Sequence, residues 1–139
     1  MKSIWTWMQM GLLALGGFLG WFLGGMDGII YALIAFMVVD YITGVLRAVV
    51  EKKLSSRIGA HGIAKKVAIF LIVGIAHLAD VYMLGDGDAL RTAVIFFYTA
   101  NEGLSLLENI VAVGLPVPDK LRDALAQLRG EPGNEDNGS

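Results

Sequence analysis

Four long apolar stretches occupy most of this sequence and limit what it can fold into. They cover residues 5–25, 28–50, 64–84 and 89–114. A helix needs ~20 mostly apolar residues to cross ~30 Å of hydrocarbon, and each stretch is long enough. In lipid every backbone N–H and C=O must be paired, and the sequence is too poor in alternating polar and apolar residues for a β-barrel. We therefore predict an all-α integral membrane protein with four transmembrane helices.

The composition excludes several classes of function. The hydrophobic fraction is 55%, above the ~45–50% that is usual for soluble domains, so a separate soluble domain has no room. Cysteine is absent, which excludes disulfides, thiolate metal sites and a thiol nucleophile. The formal net charge of -2 argues against a nucleic-acid partner.

Basic residues near the helix ends predict the topology, because Lys and Arg resist translocation and stay in the cytoplasm. Six of them surround the connection between the second and third stretches: Arg47, Lys52, Lys53, Arg57, Lys65 and Lys66. The connections at 24–28 and 85–88 contain neither Lys nor Arg. We predict that these two connections face outward and that both termini are cytoplasmic. A cleaved signal peptide is the competing interpretation of the first stretch, but that stretch is longer than an ordinary h-region and no convincing small-x-small cleavage site precedes Asp27.

The first stretch contains glycines at intervals of four, namely Gly16, Gly20 and Gly24. Small residues at this spacing let another helix approach closely in a membrane. One interpretation is packing against the chain's own helices, and the other is contact between copies. These three glycines are the candidate oligomer interface.

Polar residues inside the second and third stretches are the next clue, because charges in hydrocarbon are costly and usually face protein or water. The second stretch contains Asp40, Thr43 and Arg47 roughly on one side. In the third, His77 and Asp80 are three residues apart and share a helix face. We interpret His77 and Asp80 as a hydrogen-bonded structural pair, with a proton relay as the alternative.

The fourth stretch has a polar stripe within a sector of about 120°. The stripe consists of Tyr98, Asn101, Glu102, Ser105, Glu108 and Asn109. One interpretation buries it against neighbouring helices, with Glu102 or Glu108 paired to Arg47 or Arg91. The other exposes it to water, and the two could be successive states, which makes the stripe a candidate pore lining.

Enzyme signatures are missing from the sequence. It has no Gly-rich phosphate loop, no nucleophile elbow and no HExxH, and His61 and His77 lack partners at metal-ligand spacing. We predict a protein that is not an enzyme and has no catalytic residue, cofactor or metal site.

The chain after the fourth stretch differs from the rest. Pro116 and Pro118 end the helix. A short amphipathic helix follows, with Asp119 as its cap and Leu121, Leu125 and Leu128 on one side. This helix either lies on the inner membrane interface or is solvated. From Gly130 onward we predict disorder, so residues 1–118 form the membrane domain and 119–139 a cytoplasmic helix and tail.

Several spaced motifs in this sequence resemble the phage lysis and toxin-secretion holin family, which includes the clostridial toxin-export holins. In the first half these are Asp40-Tyr41-Ile42-Thr43-Gly44, Leu54-Ser55-Ser56-Arg57-Ile58-Gly59 with Gly62, Lys65-Lys66 and His77-Leu78-Ala79-Asp80. In the second half they are Phe97-Tyr98, Asn101-Glu102, Ser105, Leu107-Glu108-Asn109, Gly114-Leu115-Pro116-Val117-Pro118 and Lys120-Leu121. The Gly-rich first stretch and the acidic Glu131, Glu135 and Asp136 depart from the family's pattern.

The resemblance implies a small protein that accumulates in the bacterial host's cytoplasmic membrane, oligomerises with itself, and opens timed lesions that lead to host cell lysis. Through the lesions an endolysin or a toxin would leave as cargo, without specific binding, and an antiholin is a possible partner. Two alternatives stay open: an antiholin or regulator of a holin, and a small ion or solute transporter. A transporter should show inverted-repeat symmetry, and the two halves of the sequence show no convincing repeat.

Overall fold

The computed structural model describes residues 2–85 and 87–130, without the side chain of Lys2. Within these residues the chain forms helices and no strand, so the predicted all-α class is confirmed. The five helices are α1 Lys2–Phe22, α2 Gly28–Val50, α3 Ser56–Tyr82, α4 Ala89–Val113 and α5 Asp119–Leu128. The predicted disorder of the tail falls almost entirely on residues 131–139, which lie outside the described part of the chain.

Helix α4 is the centre of the bundle. It packs along α2. Arg91 in its first turn contacts Asp27 at the start of α2, and Asn109 in its last turns contacts Thr43 in the second half of α2. These two helices are therefore parallel. Helix α3 runs antiparallel to both. The apolar core between the three helices consists of Leu23, Ile30, Leu33, Met37, Ile69, Val73 and Ile95.

The helix ends follow from local sequence. The side chains of Asp27 and Ser55 each accept a hydrogen bond from the backbone N–H three residues later, at 3.2 Å, and so cap α2 and α3. Gly114 ends α4 in the left-handed region with φ 115°, and Leu115 N–H then donates to the Ile110 carbonyl. The predicted Asp119 cap is wrong by one position, because Pro118 occupies the N-cap and Asp119 is the first helical residue.

Helix α3 begins eight residues before the predicted span at 64–84. The Ser55 cap starts it at Ser56, so Arg57, Lys65 and Lys66 are helical and the connection to α2 is only residues 51–55. The basic group that predicted the topology is therefore divided between a short turn and the first half of α3.

Two of the helices, α2 and α3, are long and apolar enough by length and composition to cross a membrane. Charged residues such as Arg91 and Glu102 lower the hydropathy of α4. Gln9, Thr6 and three tryptophans lower that of α1. The count of four spans stays a prediction.

Helix α1 is an arm that is attached to the bundle near its end. The described side chains from residue 3 to 19 are exposed, and contact with the bundle is concentrated at Phe22 and Leu23. The Phe22 ring fills the place that a side chain on Gly74 of α3 would occupy. A glycine at this position lets the two helices meet.

Candidate functional site

Three charged side chains from three different helices meet inside the bundle. Lys66 Nζ of α3 lies 2.7 Å from Asp40 Oδ2 of α2 and 2.6 Å from Glu102 Oε2 of α4. The exposed fractions of these side chains are 15% for Lys66, 12% for Asp40 and 5% for Glu102. Charge-assisted bonds of this length are the strong class of hydrogen bond, so the ammonium group links all three helices. We call these three residues the charged triad.

Amide and hydroxyl groups extend the charged triad along α2 and α4. Asn109 Nδ2 donates to Asp40 Oδ1 and to Thr43 Oγ1, both at 3.2 Å. Arg47 donates to Asn109 Oδ1 at 3.5 Å and to Glu51 at 3.1 Å. Thr43 Oγ1 also donates to the Val39 carbonyl at 2.8 Å. The predicted set Asp40, Thr43 and Arg47 is therefore one network with Asn109.

The position of the charged triad along the bundle follows from helix geometry. The 20 residues from Asp27 to Arg47 span ~30 Å at 1.5 Å per residue, which equals one hydrocarbon thickness. Asp40 lies ~20 Å from the Asp27 end on the same scale. The charged triad is thus about two-thirds of the way along α2, nearer the end that holds Arg47.

A second polar site, at the opposite end of the bundle, is built around Arg91. Its guanidinium group donates to Asp27 at 2.7 and 3.2 Å, and to the carbonyls of Gly25 and Leu23. Arg91 is 2% exposed, so the arginine holds the α1–α2 turn against α4 from inside. The hydrogen bond from Arg91 lowers the pKa of the Asp27 carboxyl below its usual value of 3.8.

Asp80 supplies the cap that α4 lacks from its own sequence. Asp88 stands at the N-cap position and makes no side-chain cap bond. Instead the Leu90 and Arg91 amides donate to the two carboxylate oxygens of Asp80 at 3.0 and 2.9 Å. A carboxylate at a helix N-terminus also interacts favourably with the helix dipole.

The predicted hydrogen bond between His77 and Asp80 does not form. Across residues 2–85 and 87–130 no bond joins the two side chains, because both carboxylate oxygens of Asp80 face the start of α4. His77 lies next to the turn after α1, where a Cβ on Gly24 would come within 2.6 Å of its Nδ1. No proton-relay geometry links the pair.

The polar stripe of α4 is divided between two sides of the helix. Glu102 and Asn109 point into the bundle, and Tyr98 packs on the apolar core. Ser105 helps to line a cavity of about 250 Å³ between α2 and α3. Asn101 accepts a bond from Arg129 at 3.2 Å on the α5 side, and Glu108 is exposed. The predicted pairing of Glu102 with Arg47 or Arg91 is wrong, because its partner is Lys66.

Lys66 is the residue that sequence reasoning missed. It was grouped with the cytoplasmic loop charges, although its neighbours at the helical spacing of three, four and seven are Ile69, Phe70 and Val73. Ile69 and Val73 are core residues and Phe70 packs against them. A lysine in register with a core face is expected to point inward, so this signal could have located the triad's cation.

The glycine strip of α1 has no partner in the folded chain. A Cβ added to Gly16 or Gly20 would meet nothing within 4 Å, so the interpretation as packing against the chain's own helices does not hold for these two. Gly24 does not belong to the strip, because it follows the end of α1 with φ 82° and faces Arg91 and His77. Of the three predicted interface glycines, Gly16 and Gly20 are open in the described part of the chain.

The arrangement as a whole holds helices together by paired charges. In the described part of the chain, no group of three or more His, Asp or Glu is placed to hold a metal ion. The single ammonium group of Lys66 pairs with both carboxylates of the charged triad, and buried charges require such pairing. Its chemistry is that of an ionic lock between α2, α3 and α4.

Comparison with known proteins gives one family. The sequence profile of the bacteriophage holin family matches residues 17–130. An uncharacterised protein from Listeria innocua is 41% identical over 93% of this chain and 91% of its own length. An uncharacterised 14.9 kDa protein from Clostridium perfringens is 37% identical over 94% of this chain and 99% of its own. A protein named probable holin from Bacillus phage phi105 is 38% identical over 68% of this chain and 69% of its own. No solved structure matches.

Proposed function

The chain belongs to the bacteriophage holin family, and from this premise we propose that it is itself a holin. The family is non-enzymatic, and its place is the cytoplasmic membrane. In the proposal, copies accumulate there, self-associate, and open lesions at a set time. Endolysin or toxin then leaves through the lesions, and the host cell lyses.

The observation on which the proposal rests, beside the family match, is the division between inside and outside in the bundle. The side chains of Asp40, Lys66 and Glu102 are paired inside. Large apolar side chains cover the outside of α2 and α3, such as Val38, Val67 and Ile75, each more than half exposed. An apolar surface of this extent suits lipid rather than water. The folded chain therefore has the form of a resting membrane protein whose internal charges are hidden.

The proposed topology has four spans with both termini in the cytoplasm. The Arg47 end of the bundle continues into Lys52, Lys53 and Arg57, as the positive-inside rule requires of a cytoplasmic end. The opposite end consists of the Asp27 and Arg91 site and the 83–88 connection. The ~30 Å between the two ends matches the hydrocarbon layer.

Self-association is proposed to use α1. A Cβ added to Gly16 or Gly20 would meet nothing within 4 Å, so another helix can approach closely there. Rising concentration favours the associated form by mass action. The switch from resting to open form needs a difference of only a few kcal/mol between arrangements.

The test is inducible expression in a bacterium, with and without an endolysin that lacks a signal sequence, while membrane potential and turbidity are followed. We expect abrupt depolarisation, and lysis only with endolysin present. Depolarisation without lysis would indicate a small pore. No depolarisation, with the protein shown to be in the membrane, would favour an antiholin or a transporter.

A variant with a matched control links the lesion to α1. Gly20→Leu should delay or abolish lysis and reduce oligomer size in cross-linking, because leucine prevents close approach. Gly11→Leu introduces the same change ~180° away on α1, and a Cβ there also meets nothing within 4 Å. Unchanged lysis onset in Gly20→Leu, or an equal effect of both variants, would contradict a role for this face.

A further inference from the structure

Helix α5 folds back along α4 from its last turns to its middle. Leu125 fits over Gly103, where an added Cβ would come within 3.0 Å of the leucine side chain. Arg129 Nη1 donates to Asn101 Oδ1 at 3.2 Å. Asn101 precedes Asn109 by eight residues, or ~12 Å along α4. The far end of α5 is therefore level with the charged triad.

The outer side of α5 is polar, and Leu121 and Leu128 at its edges are 47% and 52% exposed, whereas Leu125 is buried. Lys120, Arg122, Asp123 and Gln127 are exposed, and we call them the α5 surface. Arg122 also borders a cavity of about 490 Å³ together with Arg47 and the exposed Glu108 of α4. Charged side chains at this density are not stable against hydrocarbon.

The opposite side of the molecule is apolar at the same level. Val38 and Ile42 of α2 are each 52% exposed, and Val67 and Leu71 of α3 are 53% and 54% exposed. These side chains require lipid for the same reason that the α5 surface excludes it. The salt bridges of the charged triad hold α2, α3 and α4 at one common level. A shift of the molecule along the membrane normal therefore cannot place the apolar side chains of α2 and α3 in lipid and the α5 surface in bulk water at the same time.

We infer that the α5 surface faces water within the membrane, in an aqueous space that two or more copies of this chain enclose between their α5 surfaces. The inference rests on the proposed topology, in which α4 spans. A single copy surrounded by lipid would leave the α5 surface against hydrocarbon. When copies face one another, the space between their α5 surfaces can hold water. The wet side is thus the one with α5, Asn101 and Glu108, because Glu102 and Asn109 of the predicted stripe point into the bundle.

Thiol labelling tests this directly, since the chain contains no cysteine. The variants are Gln127→Cys and Asp123→Cys on the α5 surface, with Val38→Cys and Val67→Cys as controls at a similar depth. Each is treated with a charged, membrane-impermeant thiol reagent in inverted inner-membrane vesicles. The thiolate is the reactive form and does not form in hydrocarbon, so we expect the two α5 variants to react ~10-fold or more faster than the controls.

Two further measurements separate a wet docked helix from a detached one. A Gly103→Cys/Leu125→Cys disulfide locks α5 onto α4, and Gln127→Cys should still react rapidly in the locked protein. A short bifunctional thiol reagent should join Gln127→Cys copies into dimers, and Val67→Cys copies should not be joined. These results are expected only if the docked α5 surfaces of different copies share an aqueous space.

The contrary outcomes are equally specific. Uniformly slow labelling would place the α5 surface in lipid, and uniformly fast labelling would place this half of the bundle outside the bilayer. Labelling that disappears on locking would show that α5 is wet only when detached, and failure to cross-link would exclude the shared space. Each of these overturns the inference. Lysis with endolysin is scored separately in the same variants. Lysis with slow labelling of α5 would support the holin function and overturn the inference, whereas fast labelling without lysis would do the reverse.

Discussion

At the scale of single residues, Lys66 determines whether two carboxylates can remain inside the bundle. Asp40 and Glu102 are on different helices, and the lysine ammonium lies within 2.7 Å of both. Without it they would be like charges in a medium of low dielectric constant, which is strongly unfavourable. Arg47 is bonded to Asn109 and Glu51 and does not replace Lys66. The fold therefore depends on one cation at this position.

Replacing Lys66 with Met should destabilise the protein strongly. Removing one partner of a buried ion pair typically costs ~3–5 kcal/mol, because the remaining charge is uncompensated. The measurement is unfolding in detergent micelles followed by circular dichroism, together with the level of protein in the membrane.

The matched control for this prediction is Lys65→Met, since Lys65 is the adjacent residue and is exposed. It should change the unfolding free energy by less than ~0.5 kcal/mol. Adding Asp40→Asn and Glu102→Gln to Lys66→Met should restore much of the loss by removing the unpaired charges. Equal stability of the two lysine variants would contradict the role of the charged triad.

Acid should weaken the contact between Asp27 and Arg91. The folded-state pKa of Asp27 is lowered from 3.8 by the Arg91 hydrogen bond, so the carboxylate contributes stability above that pH. The contribution is lost as the pH falls through the folded-state pKa. Thermal unfolding in detergent should show wild type more stable than Asp27→Asn near neutral pH.

Asparagine keeps the shape of Asp27 and is itself a good helix cap, so the comparison isolates the charge. The advantage of wild type over Asp27→Asn should narrow as the pH falls below 3.8 and disappear below the lowered folded-state pKa of Asp27, where both side chains are neutral. A difference that is independent of pH would show that the charge of Asp27 does not contribute.

At the scale of helices, glycines distinguish attached surfaces from free ones. Gly74 receives the Phe22 ring of α1, and Gly103 receives Leu125 of α5. Gly16 and Gly20 of α1 receive nothing from the chain. Helix α1 is therefore joined to the bundle mainly at one end and is exposed over most of its length. This is the geometry expected of a helix that is completed by another copy.

Gly74→Ala should loosen α1 from the bundle. The added methyl group occupies the place of the Phe22 ring, and overpacking of this kind costs ~1–3 kcal/mol. Proteolysis and hydrogen exchange in micelles should show earlier opening of α1. Gly17→Ala is the control, because a Cβ there meets nothing within 4 Å, and Phe22→Leu combined with Gly74→Ala should recover part of the loss. Unchanged protection of α1 in Gly74→Ala would exclude the contact.

At the scale of the whole molecule, the bundle has two chemically different ends and two chemically different sides. One end holds the Asp27 and Arg91 site, and the other holds Arg47 and the basic residues after it. Around the inner half, an apolar side of α2 and α3 stands opposite the polar outer side of α5. In the proposed arrangement, the two ends orient the protein in the membrane and the two sides determine how copies meet.

The proposed topology predicts which connections are reachable from each side. Single cysteines at Met26 and Asp88 should react with an impermeant thiol reagent added to intact spheroplasts, and cysteines at Lys53 and Gly130 should not. In inverted vesicles the pattern should reverse, because Lys and Arg hold the second connection and the C-terminal segment in the cytoplasm. Labelling of Gly130→Cys from outside would mean that the C-terminal segment is not cytoplasmic and would overturn the topology.

Much of the fold was predictable from sequence, since helix formation depends on local properties. Apolar length and the prolines at 116 and 118 located the helices, and the bounds of α2 and α4 are within a residue of the predicted spans. The predicted start of α3 at residue 64 is eight residues late, because the helix signal of the Ser55 cap and the following Arg57 lies before the apolar stretch. A charged residue can be helical as long as its side chain finds water or a partner.

The sequence by itself determined the all-α class, the order of the helices and which residues are polar within apolar surroundings. Only the tertiary structure decided that Lys66 pairs with Asp40 and Glu102, that Asp80 caps α4, that Arg91 holds the α1–α2 turn, and that α5 lies on Gly103. These contacts depend on the rotation and register of one helix against another. Hydrophobic periodicity shows which face of a helix is buried, but the partner atoms come from residues distant in sequence and are specified only when the whole bundle has packed.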